Sequence, residues 1–530
     1  MLKGEDLMPF ENENTFFRAG LKAKEEFVHS QYELALGKLE KDLGRTMQNY
    51  INGRWVESDG GFFEDRFPGD TSVVNGRFQK GTKDDARSAI KAARNAYDNW
   101  RLFDYQSRCD IFERAASIVS KRKYEMAAMI TLENGKNRYE AMADIDEAID
   151  FLRYYSFQMR DAQGYAMDMP SPFPGERPKD LLRPYGIWSV ISPFNFPWSI
   201  MAGMSTGAMI AGNTVVIKPA SDAPWPALAF AEILEESDLP PGVFNVVTGA
   251  GEIVGRELVE NPSISGLVFT GSKAVGADAL KTFLGIHPRP FIAEMGGKNA
   301  VIVTSKANMD EAVEGVGKAA FGYSGQKCSS CSRVLVEEMV ADEFLRLLKE
   351  WTEQMVVGDP RQKNTFMGPL ITETAFERYR RSVNAARASG SIVTGGKMLK
   401  SDELNGYYVE PTIVTGLKYD HPLMEAELFL PFVCVLKVPS LEAGVQIANS
   451  SEYGLTAGIM SRSDTEVDYF MDHIEAGTVY ANRRLGATIA AMVGSQPFVG
   501  WKASGTTGKA AGGRYYLQQF MREQSQTRCL

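Results

Sequence analysis

Histidine and cysteine are scarce in this 530-residue chain. The four histidines, His29, His287, His421 and His473, lie far apart, so their spacing suggests neither a metal-ligand cluster nor a Ser-His pair. The five cysteines, Cys109, Cys328, Cys331, Cys434 and Cys529, are too few and too odd in number for a secreted disulfide framework. A reducing, cytoplasmic setting is expected instead. Long basic runs are missing as well. With Lys+Arg 58 against Asp+Glu 67 the net charge is −9, which argues against nucleic acid as a partner. No apolar core of a signal peptide follows Met1. Pro184 to Ile217 carries no charge, but Pro193, Asn195, Pro197 and Asn213 interrupt it. It reads as a buried α/β segment, and no membrane partner is expected. With 44% hydrophobic and 24% charged residues, disordered and collagen-like chains are excluded. At roughly 100–200 residues per domain, the length predicts several domains or one large α/β assembly.

Residues 14–43 read as an amphipathic helix, capped at Asn14 or Thr15, with Phe17, Leu21, Val28, Tyr32, Leu36, Leu39 and Leu43 at helical spacing. Tyr50 to Trp55 predicts a hairpin turning at Asn52-Gly53. Helical patterns fill 83–100, 105–134 and 138–161, and Pro170 to Pro184 is an extended excursion or edge hairpin. Strand and helix then alternate: strands at 186–192, 214–218, 244–247 and 266–269, helices at 202–211 and 225–235. A second such series starts at Ala300. This alternation predicts parallel sheets with helices on both faces.

Cys328 lies in Phe321-Gly-Tyr-Ser-Gly-Gln-Lys-Cys328-Ser-Ser-Cys331, a polar, loop-like setting. It can be a structural thiol, half of a Cys-x-x-Cys pair, or a nucleophile. A nucleophile needs a base; no histidine is near in sequence, and Glu294 in Glu294-Met-Gly-Gly-Lys-Asn299 is a candidate. Asn195, between Pro193 and Pro197, can donate its amide to a developing oxyanion or simply make an Asx turn. The usual dinucleotide fingerprint is missing. Gly249-Ala-Gly251-Glu-Ile-Val-Gly255 has an extra residue before its last glycine. Phe269-Thr270-Gly271-Ser272 and Lys218-Pro-Ala-Ser221 also follow strands, and the three strand ends together favour a nucleotide crevice.

At these residues the sequence resembles the aldehyde dehydrogenase superfamily over roughly residues 50–525. Glu147-Ala-Ile-Asp-Phe-Leu152, Ile191-Ser-Pro-Phe-Asn-Phe-Pro197, the Cys328 motif and Gln496-Pro-Phe498 are similar to the 1-pyrroline-5-carboxylate dehydrogenase branch. The resemblance implies an α/β fold with two doubly wound parallel-sheet domains and a small oligomerisation hairpin. It implies residues 1–48 as an N-terminal helical extension, 49–165 with 186–293 as the dinucleotide-binding domain, and 294–480 as the catalytic domain. Residues 166–185 and 500–530 would be oligomerisation segments of a homo-oligomer, a dimer or a multiple of dimers. The implied activity is oxidation of L-glutamate γ-semialdehyde to glutamate, with NAD as cofactor.

In that reading Cys328 attacks the aldehyde, Asn195 and the Cys328 N–H hold the oxyanion, and Glu294 activates water. The cofactor would meet Ser192, Pro193, Phe194, Lys218, Ser221, Gly251, Gly255, Phe269, Thr270, Gly271, Ser272, Glu427 and Phe429. Phe196 and Phe498 would line the aldehyde chain, Ser329, Ala490 and Ala491 would receive its carboxylate, and Glu147 its ammonium. No metal is expected. Two departures stand out. Ile489 and Ala490 replace the Thr-Gly usual in the anchor loop, and where glycine is needed a methyl costs about 1 kcal/mol or more. Ser221 replaces a frequent acidic residue, which opens the way to NADP. Other classes are an aldehyde dehydrogenase of different specificity, CoA-acylating transfer, and a non-catalytic binding protein. Glu294 argues against CoA transfer, and the intact Asn195, Glu294 and Cys328 set against the non-catalytic reading.

Overall fold

The computed structural model describes residues 22–401, 404–484 and 492–529. The start of the expected N-terminal helix, including Asn14, Thr15, Phe17 and Leu21, lies outside the described residues. Its remainder runs Lys22–Leu39 and buries Tyr32, Leu36 and Leu39 against the helix Tyr105–Asn134. Helix starts follow local chemistry. Thr82 and Asp85 form a capping box for Lys83–Trp100, Asp104 caps Tyr105–Asn134, and Asn137 caps Arg138–Asp161.

Among the described residues there are two seven-stranded sheets. The first runs in space Phe291–Glu294, Gly266–Thr270, Ile187–Ile191, Thr214–Lys218, Phe244–Val246, Asn49–Ile51, Arg54–Val56. Its first five strands are parallel. The last two are not: the hairpin turning at Asn52 (φ 55°) and Gly53 (φ 71°) adds antiparallel to the edge. The second sheet runs Ser391–Thr394, Thr412–Thr415, Phe432–Val438, Cys331–Glu337, Asn299–Val303, Thr456–Met460, Thr478–Ala481. Here Ser391–Thr394 is antiparallel to its neighbour. The expected parallel sheets are present, each extended at one edge by antiparallel pairing. A tight hairpin returns the chain antiparallel in the first sheet, an excursion through the paired strands Met398–Ser401 and Leu404–Val409 does so in the second, and both returns sit at edges.

A three-stranded antiparallel sheet joins Ala166–Asp168, Glu176–Pro184 and Met521–Cys529. Of the described residues from 500 onward, only Met521–Cys529 lies in it. Trp501–Lys502 pairs with Tyr453–Gly454, and Leu517–Phe520 is packed into the largest core against Trp188 and Gly207. Among the described residues, no helix is long and apolar enough to cross a membrane, and no cluster of three His, Cys, Asp or Glu side chains is arranged to hold a metal.

Strand order positions the site. Among the five parallel strands of the first sheet the chain starts at Ile187–Ile191, adds Thr214–Lys218 and Phe244–Val246 on one side, then Gly266–Thr270 and Phe291–Glu294 on the other. The reversal opens a crevice beyond the carboxyl ends of these strands. Ser192, Lys218, Gly271 and Glu294 all stand at that edge.

Candidate active site

Glu294 ends the last strand of the first sheet, and Asn299 begins a strand of the second. The link between them, Met295 to Lys298, is squeezed from both sides. A Cβ on Gly296 would lie 2.1 Å from Glu427 Oε2, and one on Gly297 2.6 Å from the Cys328 carbonyl oxygen. Glycine at both positions therefore lets Glu427 and the Cys328 loop close on the same backbone. Gly297 N donates to Glu427 Oε1 at 3.0 Å.

Cys328 is half-buried, between a tight turn and the strand Cys331–Glu337. The turn holds Tyr323 (φ 46°) and Ser324 (φ 54°) in the left-handed region, a strain of about 1 kcal/mol or more each. Surrounding bonds hold it. Tyr323 Oη donates to Asn134 O at 3.1 Å, Ser324 Oγ to Gly368 O at 2.8 Å, and Gln326 Oε1 accepts from Ile371 N at 2.9 Å. Burial, with Glu427 and Glu294 near, pushes the Cys328 thiol well above its usual range, while the N–H groups of Ser329 and Cys328 pull it down. Glu294 accepts from Gly500 N at 3.0 Å, yet burial still holds its carboxyl well above the usual carboxylate range. Glu427 is pushed up to about 7 by burial, against the Gly297 bond.

Asn195 is buried, and among the described residues its amide makes no hydrogen bond. An Asx turn would use that amide, so this alternative is set aside. Asn134 Nδ2 donates to Phe194 O at 3.2 Å, tying the Asn195 segment to the residue that receives the Tyr323 bond. The Phe194 and Phe429 rings meet edge-on at 5.7 Å, linking this segment to the Glu427 loop.

The nucleotide-type residues line the carboxyl edge. Lys218 is buried, its ammonium donates to Pro219 O at 2.6 Å, and among the described residues it forms no ion pair. Desolvation lowers it to about 8, against the pull of Asp222 and Glu252. Gly255 lies over the Lys218 stem, and a Cβ on Gly251 would meet nothing within 4 Å. Ser192 is buried, its N–H on Lys218 O at 3.2 Å, with Pro193 half-buried beside it. Ser272 is exposed and caps the helix Lys273–Leu284. Thr270 Oγ1 turns to Met204 Sδ at 3.4 Å. Two of these side chains are engaged within the protein. The Phe269 ring packs in the core beneath Gly271, so only its backbone lies at the edge. The Ser221 hydroxyl donates to Gly249 O at 3.1 Å, a loop-closing bond.

Glu147 is half-buried on the helix Arg138–Asp161; burial and then Asp144 push its carboxyl up to about 8. Phe196 and Phe498 are buried, as is Ser329, whose carbonyl accepts from Thr456 Oγ1 at 3.4 Å. Ala490, Ala491 and the rest of 485–491 lie outside the described residues. Arg483 and Gln496 bond to each other across that gap, and Gln496 Nε2 also donates to Val479 O at 2.9 Å. Cys331 is buried, with Sγ on Arg333 O at 3.5 Å, an inert position for a thiol.

This pairing of a cysteine and a glutamate, between one sheet's carboxyl edge and the amino ends of a second sheet's strands, agrees with a family comparison. Residues 55–526 match the family model described as "Aldehyde dehydrogenase family". The chain belongs to the aldehyde dehydrogenase family. It is 38% identical over 492 residues to the 1-pyrroline-5-carboxylate dehydrogenase of a Geobacillus strain, covering 92% of this chain and 94% of that one. The Thermus 1-pyrroline-5-carboxylate dehydrogenase solved with bound NAD superposes with a TM-score of 0.92 at 33% identity, covering 99% of this chain and 100% of that one. Proline utilization A from Bdellovibrio bacteriovorus gives 0.92 at 35% identity; this aldehyde dehydrogenase spans 98% of its own length but 53% of that chain.

Sequence reasoning missed Asn299 as a functional residue. Its Nδ2 donates to Cys328 O at 2.7 Å and Ser330 O at 2.9 Å, and its Oδ1 accepts from Thr456 N at 3.0 Å. One buried amide thus clamps the Cys328 loop to the sheet. Three bonds at about 1 kcal/mol each, with buried partners left bare, predict that Asn299→Ala costs about 2–4 kcal/mol in denaturant unfolding. An unchanged midpoint would mean the clamp is dispensable.

Proposed function

We propose that this chain oxidises L-glutamate γ-semialdehyde to L-glutamate through a thioester on Cys328, with NAD as hydride acceptor. The observation that carries it is the half-buried Cys328, its thiol raised by burial and then by the nearby Glu427 and Glu294, in a chain so like the named dehydrogenases. The residues present fit the dinucleotide. Lys218 offers a desolvated ammonium without a carboxylate partner among the described residues, suited to ribose hydroxyls. The first turn of Lys273–Leu284, beside the exposed Ser272, suits a pyrophosphate. Glu427 offers acceptors to the second ribose.

The thiol proton of Cys328 passes to solvent water as sulfur bonds to the aldehyde carbon. The oxygen gains the electron pair of the broken π bond and is held by the Asn195 amide and the Cys328 N–H. Bound NAD supplies the nicotinamide that takes the hydride, which leaves a thioester on Cys328. The Glu294 carboxylate takes a proton from water; the hydroxide adds to the thioester carbon and the Cys328 thiolate leaves. Phe196 and Phe498 would line the aliphatic chain. A substrate ammonium beside Glu147 would draw its raised carboxyl into the ionised form. Ser329, Ala490 and Ala491 would receive the carboxylate. The exposed edge strand Met521–Cys529 supports a further role as a contact in a homo-oligomer.

Initial rates over a panel containing glutamate semialdehyde and propanal, with and without CoA, test this. A higher kcat/KM for propanal, or acyl-CoA as product, overturns the assignment. Cofactor choice is tested at Ser221. Some NADP activity is expected, and Ser221→Glu should lower kcat/KM for NADP by about ten-fold or more relative to NAD through repulsion of the 2′-phosphate. An unchanged ratio would mean that this position does not read the ribose.

A further inference from the structure

Lys136 is fully buried and forms an ion pair with Asp144, Nζ to Oδ2 at 3.0 Å, itself fully buried. The same ammonium lies 3.7 Å from the centre of the Phe196 ring and 5.0 Å from that of Tyr323. These rings belong to two different parts of the site. Phe196 follows Asn195; Tyr323 opens the left-handed turn that leads to Cys328. In a dry setting the attraction between cation and ring face is little screened. Asp144 Oδ1 accepts from Ser199 N at 2.8 Å, at the start of the helix that continues the Asn195 segment. Packing alone would not need a charge here, because an apolar side chain avoids the cost of desolvating an ammonium.

We propose that Lys136 is a positioning residue: held by Asp144, its ammonium locks the Phe196 and Tyr323 rings and so sets the spacing between the Asn195 amide and the Cys328 thiol. This rests on the roles proposed for Cys328 and Asn195 and not on the identity of the aldehyde. Lys136 acts through the two rings. Asp144 gives it direction, since one carboxylate oxygen faces the ammonium and the other holds the following helix.

The test uses the full chain and two variants. Lys136→Met with Asp144→Asn removes both charges while keeping an acceptor for Ser199 N, so no uncompensated charge is buried. Lys136→Arg keeps the cation, which also stacks on rings. Two quantities are read: single-turnover NADH formation from propanal, and alkylation of Cys328 by iodoacetamide without cofactor, followed by peptide mass spectrometry. In the double variant single turnover should fall about ten-fold or more with NAD binding unchanged, and alkylation should quicken about five-fold as the turn loosens. Lys136→Arg should stay within about three-fold of the parent on both. A double variant within that range on both readouts, or an arginine variant that changes as much as the double variant, overturns the proposal. Should the double variant fail to fold, Phe196→Leu, which removes the ring and leaves the ion pair, should quicken alkylation as well; an unchanged rate overturns it. A parent that oxidises no aldehyde would sink the proposed function, while the alkylation comparison would still judge Lys136.

Discussion

Cys328→Ala is expected to lower aldehyde oxidation by about 10⁴-fold or more while NAD binds within about three-fold of the parent, because no other group can carry the acyl chain. The geometry supports so large a loss. Cys331, the nearest thiol in sequence, is buried and bonded to the Arg333 carbonyl, so it cannot substitute. The Gly296-Gly297 link has room for the Cys328 loop with any small residue at 328, since it is the backbone carbonyl that it contacts. The alanine variant should therefore fold, and calorimetric NAD titration separates lost chemistry from a lost site. Turnover within about a hundred-fold of the parent would remove Cys328 from its role.

Glu294→Gln is expected to keep the first turnover within about five-fold of the parent while steady-state turnover falls by about 10²–10⁴-fold, because an amide cannot take a proton from water. Rapid mixing should show a burst of NADH followed by a slow phase. Equal loss in both phases would place Glu294 in the first step alone. Its pH behaviour follows from burial. Burial holds the carboxyl well above its usual value, so the ionised base gains population as pH rises, and thioester hydrolysis in the parent should rise as pH rises through the folded value. The same shift acts on stability. A raised folded pKa contributes stability that is fully present below the unfolded value, near 4.5, and is lost as pH rises through the folded one. Glutamine has no such dependence. The melting temperature of Glu294→Gln relative to the parent should therefore increase as pH rises from about 5 through the folded value, and a flat difference would mean that the Glu294 carboxyl is not raised in the folded enzyme.

Local sequence determined the elements and the chemistry of single residues. Strand Thr214–Lys218 and helices Lys83–Trp100, Tyr105–Asn134 and Arg138–Asp161 fall where the patterns place them, because capping residues and hydrophobic period act over a few residues. The motif around Cys328 and the Glu294 segment were legible for a related reason: glycines beside a nucleophile and a base are sequence-local. Tertiary structure decided everything that needs two distant segments at once. It turned the Phe269 ring into the core, put the Ser221 hydroxyl on Gly249, and brought Gly500 to Glu294. It made Asn299 the clamp of the Cys328 loop and set Lys136 between Phe196 and Tyr323. None of these leaves a periodic or spaced signal along the chain. Which face of a side chain meets a partner a hundred residues away is fixed only when the two sheets meet, because hydrogen bonds and ring contacts act over a few ångströms in space and carry no trace of sequence separation.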